Sequence, residues 1–339
     1  MTTPPPLAVS PSVLELGGSR FHQVAEPDHT PLIAALRACM GAPPQEHNRE
    51  HRAFPGANPV SIERCHFAQL TGETYWVAEK TDGMRYLLFC TVHNTRKLCL
   101  LVDRKLCMYV AGLHMPTACY QGSVLDGEVA LNKSTGGWDY LIFDGAAVSG
   151  VPLARQPFLR RLQYIAACFE DFSPPPPQPL RLRIKRFFPV ATSWADFKEH
   201  YEHVVPPVFK TDGLIFTPDD CPYVYGRHLR QFKWKAGPDN TIDFQVVESD
   251  PDPSRLRLGI MDRGRVLNVA TIERDSSELA RSLRSGDVVE CERTAGNWRP
   301  RMLRTDKSHP NDLLTYERTL VNIQEDIRLA EFDALFLAP

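Results

Sequence analysis

Short β-branched and aromatic runs at 75–78, 86–92 and 98–102 alternate with polar turns and leave no space for intervening helices. That spacing predicts an antiparallel sheet and not repeated βαβ units. No G-x-G-x-x-G or G-x-x-x-x-G-K-S/T segment occurs in the chain, so a parallel-sheet nucleotide fold lacks its main support. Phe158, Leu162, Ile165 and Phe169 recur at helical spacing, which predicts an amphipathic helix over 153–169 packed on the sheet. Leu32, Leu36 and Met40 mark a shorter helix over 31–40. The Pro, Ser and Thr of 1–20 read as a loose tail, and the proline-rich stretch 173–179 as a polyproline-like surface connection. Past Pro238 and Asp239, short runs at 242–247, 256–260, 266–271 and 287–291 predict a small β-barrel. Leu320, Ile323, Ile327, Ala330 and Leu335 then share one face of a closing helix over 320–336.

At 339 residues the chain suits about two domains, and 43% hydrophobic with 24% charged residues argues against global disorder. The nine cysteines are scattered, with no C-x-x-C pair and an odd total. This reads as a reducing, intracellular setting without a zinc knuckle. No apolar run approaches the roughly 20 residues of a membrane span, and 1–10 holds prolines where a secretory leader has a basic and then an apolar stretch. A net charge of −2 argues against non-specific gripping of duplex nucleic acid, which needs many phosphate contacts. The local run Arg181, Arg183, Lys185 and Arg186 suits either a basic groove or a solvated face.

The segment Glu79-Lys80-Thr81-Asp82-Gly83-Met84-Arg85 follows Tyr75-Trp76-Val77-Ala78 and precedes Tyr86-Leu87-Leu88-Phe89, so a lysine is held between two strands. Lysine amines are protonated at neutral pH, and a nucleophilic one needs a dry site or neighbouring cations. Arg85 suits that role or the binding of a ligand phosphate, and Gly83 permits a close approach. The same motif also suits a surface hairpin turn. Asp126-Gly127-Glu128 opens another strand, placed to hold a ribose hydroxyl or a divalent metal, or simply to turn. Trp138 to Asp144 offers an aromatic either to a base or to the core. Thr211-Asp212-Gly213-Leu214-Ile215-Phe216 repeats the acid–glycine–strand pattern. In Phe232-Lys233-Trp234-Lys235 the two lysines share one side of a strand and the two aromatics the other.

Taken in order, Lys80-x-Asp82-Gly83-x-Arg85, Asp126-Gly127-Glu128, Asp212-Gly213-Leu214-Ile215-Phe216 and Lys233-Trp234-Lys235 resemble the collinear motifs of the covalent nucleotidyltransferases, that is, mRNA capping guanylyltransferases and polynucleotide ligases. Trp298 followed by Arg304-Thr305-Asp306-Lys307 is similar to the capping-type ending. From about Phe54 to Leu335 the chain resembles the capping guanylyltransferases, in particular the single-chain type of chlorella viruses, through Phe54-Pro55-Gly56, Asn58-Pro59-Val60-Ser61-Ile62-Glu63-Arg64, Tyr225-Gly226-Arg227 and Thr241-Ile242-Asp243-Phe244.

The resemblance implies an α+β fold: a nucleotidyltransferase domain of antiparallel sheets with flanking helices, of the ATP-grasp and ligase kind, plus a C-terminal OB-fold β-barrel. The expected division is a tail at 1–20, a catalytic domain at 21–239, an OB-fold at 240–316 and a helix at 317–339 returning to the catalytic domain. It implies Lys80 as nucleophile, Arg104 and Glu128 at the ribose, Phe143 stacked on guanine and Lys185 on the guanine carbonyl oxygen. Lys233 and Lys235 would bind phosphates, with Arg304, Asp306 and Lys307 at the β- and γ-phosphates. Asp212, Glu128 and Asp243 would serve Mg²⁺ or Mn²⁺, or the surroundings of the nucleophile. The arginine that many capping enzymes carry four residues after the tryptophan falls at Met302, beside Arg301 and Arg299.

The implied activity is GTP:mRNA guanylyltransferase, which joins GMP from GTP to a 5′-diphosphate RNA end through a lysyl-GMP intermediate. An ATP-dependent DNA or RNA ligase and a non-catalytic RNA-binding scaffold are the rival readings. A separate RNA triphosphatase, a separate cap methyltransferase and contact with RNA polymerase are expected. The setting would be the nucleus of a cell, or the cytoplasm, viral factory or virion if the chain is viral.

Overall fold

The computed structural model describes residues 6–41, 54–247, 252, 254–305 and 307–337. The chain divides into two compact units, Met1–Val60 with Gly72–Lys233, and Ser61–Thr71 with Trp234–Pro339.

In the first unit one sheet orders Val9–Leu16, Ser19–Val24, Met108–Val110, Arg96–Val102, Met84–His93, Ser123–Leu131, Trp138–Val148 and Val151–Pro152. Arg181–Ile184 joins it parallel to Trp138–Val148. Alternate residues of its central strands enter different cores. Leu88, Cys90, Leu101 and Ile142 pack with Ile165 of the helix Phe158–Phe169, whereas Leu87, Phe89, Leu100 and Val102 pack with Leu32 and Leu36 of the helix His29–Cys39. Helices on both faces explain why 86–90 is continuously apolar instead of alternating. A second sheet orders Phe188–Pro189, Tyr75–Thr81, Thr211–Pro218, Gly226–Trp234 and Ala57–Ser61.

Two expectations change here. Where 1–20 suggested a loose tail, Val9–Leu16 and Ser19–Val24 form a hairpin whose two-residue turn, Gly17-Gly18, has φ of 55° and 82°. Positive φ at both positions is what a tight hairpin turn requires, and Leu16, Phe21 and Val24 are buried behind it. The helix expected from residue 153 begins at Phe158, because Pro157 is held extended at ψ 154° and Leu153 donates its N–H to Ala146.

In the second unit Arg265–Glu273, Arg255–Asp262, Ile242–Val246, Val288–Thr294 and Asn297–Leu303 form an OB-like five-stranded sheet whose edge strands approach each other. Phe244 meets Trp298 edge-on at 4.9 Å in its core. The single closing helix expected over 320–336 is two, Leu313–Glu325 and Leu329–Phe336, because Asp326 takes a left-handed φ of 44° that ends the first. They pack on Ser61–Thr71. Asn322 donates to the Ile62 carbonyl at 2.5 Å, Arg318 pairs with Glu63 at 2.8 Å, and Phe332 meets Phe67 at 5.7 Å. The boundary expected at 239 therefore misses Ser61–Thr71, which lies early in sequence yet groups with the C-terminal helices.

A buried polar lock of the first unit is Arg161, 1% exposed, which binds both oxygens of Asp144 at 2.7 and 2.8 Å and two backbone carbonyls. Asp144→Ala strands that buried guanidinium and is expected to cost about 3–5 kcal/mol in denaturant unfolding. Arg255→Ala, which removes the exposed pair with Glu273, is expected to cost less than about 1 kcal/mol in the same measurement.

Candidate active site

Asp82-Gly83 is not a hairpin turn. Tyr75–Thr81 belongs to the five-stranded sheet and Met84–His93 to the nine-stranded one, so the chain changes sheets within two residues of Lys80. It crosses back between Arg181–Ile184 and Phe188–Pro189, with Lys185 on that crossing. Gly83 is required by a close approach: a Cβ there would overlap the Val129 carbonyl and come within 2.9 Å of the Glu128 side chain. Both crossings border one cleft, lined by Glu79, Lys80, Thr81, Arg85, Arg104, Glu128, Phe143 and Lys185.

Two β-bulges aim side chains here. Thr211 pairs with Thr81 and Leu214 with Glu79, so Asp212 and Gly213 together face Lys80. Gly213 takes φ of 143°, a value open to glycine, and Asp212 thereby comes within 2.6 Å of Lys80 Nζ. On Trp138–Val148, Ile142 pairs with Gly127 and Asp144 with Asp126, which leaves Phe143 as the extra residue. Phe143 is half-buried, with the Arg85 guanidinium 5.5 Å from its ring.

The cations of the cleft are met by carboxylates. Arg85, 8% exposed, binds both oxygens of Asp126 at 2.9 and 2.6 Å and donates to the Ala57 carbonyl at 2.6 Å. Tyr223 donates to the same Asp126 oxygen at 2.5 Å. Arg85 lines the cleft with its guanidinium paired to Asp126. Lys185 donates to the Glu79 carbonyl at 2.6 Å and to Thr81 Oγ1 at 2.9 Å, and its ammonium is ion-paired with Glu79 Oε1 at 3.0 Å. Burial pushes the Glu128 carboxyl up to about 7, against the opposing pull of Lys80, Lys185, Arg85 and Arg104. Burial and the nearby Arg85 charge lower the acid range of Arg104.

The alternation at 232–235 holds: Phe232 and Trp234 are buried, and Lys233 and Lys235 are half-buried. Lys233 closes the first unit, and Lys235 lies in the second. There Asp243 accepts from Arg304 at 2.8 Å and from Lys307, and Arg304 also reaches Glu290 at 3.3 Å. Asp243 is thus held between two cations of its own unit. Among the described residues no three His, Cys, Asp or Glu side chains are grouped to hold a metal. Asp306 lies outside the described residues. Arg301 lies 3.5 Å from Asp239, and Met302 is exposed.

The run Arg181, Arg183, Lys185 and Arg186 is not one groove. Arg183 pairs with Asp139 at 2.6 Å and Arg186 covers the Phe188 ring at 4.4 Å. Sequence reasoning missed Glu79, Thr81 and Tyr223. A glutamate ending an apolar run was a signal for the first, whereas nothing marked Tyr223.

Two family descriptions match the chain: mRNA capping enzyme, catalytic domain, over 37–237, and mRNA capping enzyme, C-terminal domain, over 239–332. The mRNA-capping enzyme subunit alpha of Schizosaccharomyces pombe is 29% identical, covering 81% of this chain and 77% of that protein. That of Yarrowia lipolytica is 28% identical, covering 84% and 82%. The mRNA-capping enzyme of Danio rerio is 27% identical over 82% of this chain, which spans 48% of that protein.

The Glu128 environment gives a direct test. Its folded acid range lies above the unfolded value of about 4.3, so the native state retains a proton that the unfolded state loses. This group therefore lowers stability as pH rises from about 4.5 to about 7, and Glu128→Gln is expected to remove that slope. Followed by carbon-13 NMR, the Glu128 carboxyl should titrate near 7, and Lys80→Met should move the midpoint higher by removing a cation that favours the charged form.

Proposed function

The chain belongs to the mRNA capping enzyme family and is a GTP:mRNA guanylyltransferase, and on that premise we propose that Lys80 is the residue that carries GMP. The observation that supports this most is the bulge that brings Asp212 to the Lys80 amine at the edge of the cleft. Lys80 Nζ attacks the α-phosphorus of GTP, the bond to the β-phosphate oxygen breaks, and pyrophosphate leaves. The terminal phosphate of a 5′-diphosphate RNA then attacks the same phosphorus, the P–N bond breaks, and GpppN is released with the amine restored.

In this proposal Asp212 orients the amine, Phe143 stacks on guanine, Lys185 reads its carbonyl oxygen, and Glu128 with Arg104 binds the ribose. Lys233, Lys235, Arg304, Asp306 and Lys307 are assigned to the phosphates. Asp126 and Arg85 build the wall that carries these groups. A divalent cation brought by the triphosphate would be held by Asp212 and Glu128 with phosphate oxygens completing its shell, and would offset charge on those phosphates. One or two carboxylates suffice for such an ion. A reducing, intracellular setting, a separate triphosphatase and methyltransferase, and polymerase contact remain part of the proposal.

Incubation with α-labelled GTP and manganese is expected to leave label on the denatured protein, and Lys80→Ala should leave none. Label from ATP alone would mark a ligase, and RNA affinity without any adduct a scaffold. GTP affinity should weaken as pH falls through about 7, where Glu128 takes up its proton and loses an acceptor for the ribose hydroxyls. In Glu128→Gln that dependence should be flat.

A further inference from the structure

We propose that Glu79 is a positioning residue that sets guanine selectivity by fixing the Lys185 ammonium, an inference that rests on the assignment of Lys185 to the base. Glu79 and Lys185 are each only 6% exposed at the side chain, and a charged pair so deep is costly unless it is well paired. Glu79 holds Lys185 in two ways, by a hydrogen bond to its carbonyl and by the ion pair with Oε1. Thr81 Oγ1 accepts a second hydrogen bond, and Thr81 is itself 3.5 Å from Glu79 Oε1.

The ammonium is thus held by three oxygens on this side, and a guanine carbonyl oxygen competes with them for its N–H groups. The carboxylate is the one able to yield. Its Oε2 is buried and accepts no hydrogen bond, and His200 Nε2 lies 4.0 Å from it. His200 opens the π-helical turn His200–Val204, a local departure from α-helix that projects its ring at Glu79 and against Phe188. Glu79 can therefore turn its carboxylate towards His200 and free one Lys185 N–H while the other two contacts keep the amine in place. The freed donor suits an oxygen acceptor, as at guanine C6. It meets another donor at the adenine amino group.

The test compares adduct formation from GTP and from ATP in the full chain for four forms: unaltered, Glu79→Gln, Lys185→Met and the double variant. Glu79→Gln is expected to raise KM for GTP with little change in kcat, and to lower the GTP-over-ATP preference by about tenfold, the scale of one charge-assisted hydrogen bond. In the Lys185→Met background it should add nothing. Glu79→Asp keeps the charge but draws it back by one methylene, and should give a partial loss; it carries the same comparison if Glu79→Gln does not fold. Equal losses for GTP and ATP, or an undiminished effect of Glu79→Gln in the Lys185→Met background, would overturn the proposal. A preference unchanged in Lys185→Met removes the base assignment and the proposal together. A preference lowered by Lys185→Met but untouched by Glu79→Gln removes the role of Glu79 alone.

Discussion

Like charges gathered out of water repel, and the cleft of the first unit resolves this by matching cations with carboxylates. Lys80 has Asp212, Arg85 has Asp126, Lys185 has Glu79, and Arg104 acts on Glu128 through space. Opposite charges are thus matched within the cleft, which is how a chain with a net charge of −2 gathers several cations in one place. Each pairing depends on where the backbone leaves its sheet. Lys80 and Arg85 straddle one crossing and Lys185 marks the other, so the sheet topology fixes the charge pattern.

The pairs differ in what they leave for a ligand. Arg85 and Asp126 satisfy each other, with the Tyr223 hydroxyl on the carboxylate and the Phe54 ring 5.1 Å from the guanidinium, so this pair is wall. The Lys80–Asp212 pair is partly open, at 26% and 17% exposure. Bonds to its charged atoms can be traded for bonds to phosphate without unpairing a group in the core. The distinction separates motif residues that meet a nucleotide from those that hold the frame, and the sequence pattern K-x-D-G-x-R does not draw it.

The strands at 75–81 and 84–93, the second barrel-like module and the alternation of Lys233 and Lys235 with aromatics were legible, because period and composition record burial directly. The N-terminal hairpin was not: the Pro, Ser and Thr of 1–20 read as a tail, and the pairing of Val9–Leu16 with Ser19–Val24 shows otherwise. The sheet crossing was not. Asp-Gly after a strand is the usual mark of a hairpin, and only long-range pairing shows that the next strand joins another sheet. The bulges at Asp212-Gly213 and at Phe143 were hidden for the same reason, since a bulge is a mismatch between two strands and one strand alone does not contain it. The grouping of Ser61–Thr71 with the last helices rests on contacts such as Asn322 to Ile62, which no local pattern encodes.

An incoming triphosphate carries more negative charge than any carboxylate in the cleft and competes with all of them for the same cations. The carboxylates differ in how firmly they hold their charge. Glu128 is buried at a cost that four cations only partly offset, so its acid range lies near 7 and its charge is available to the ribose hydroxyls above that pH. Asp126 is the opposite case, 1% exposed and bonded on both oxygens, and it keeps Arg85 in place whatever occupies the cleft. A site that must take in a polyanion, release pyrophosphate and then admit an RNA end needs both kinds. The fixed pair preserves geometry through each exchange, and the titratable one lets the local charge change without rebuilding the wall.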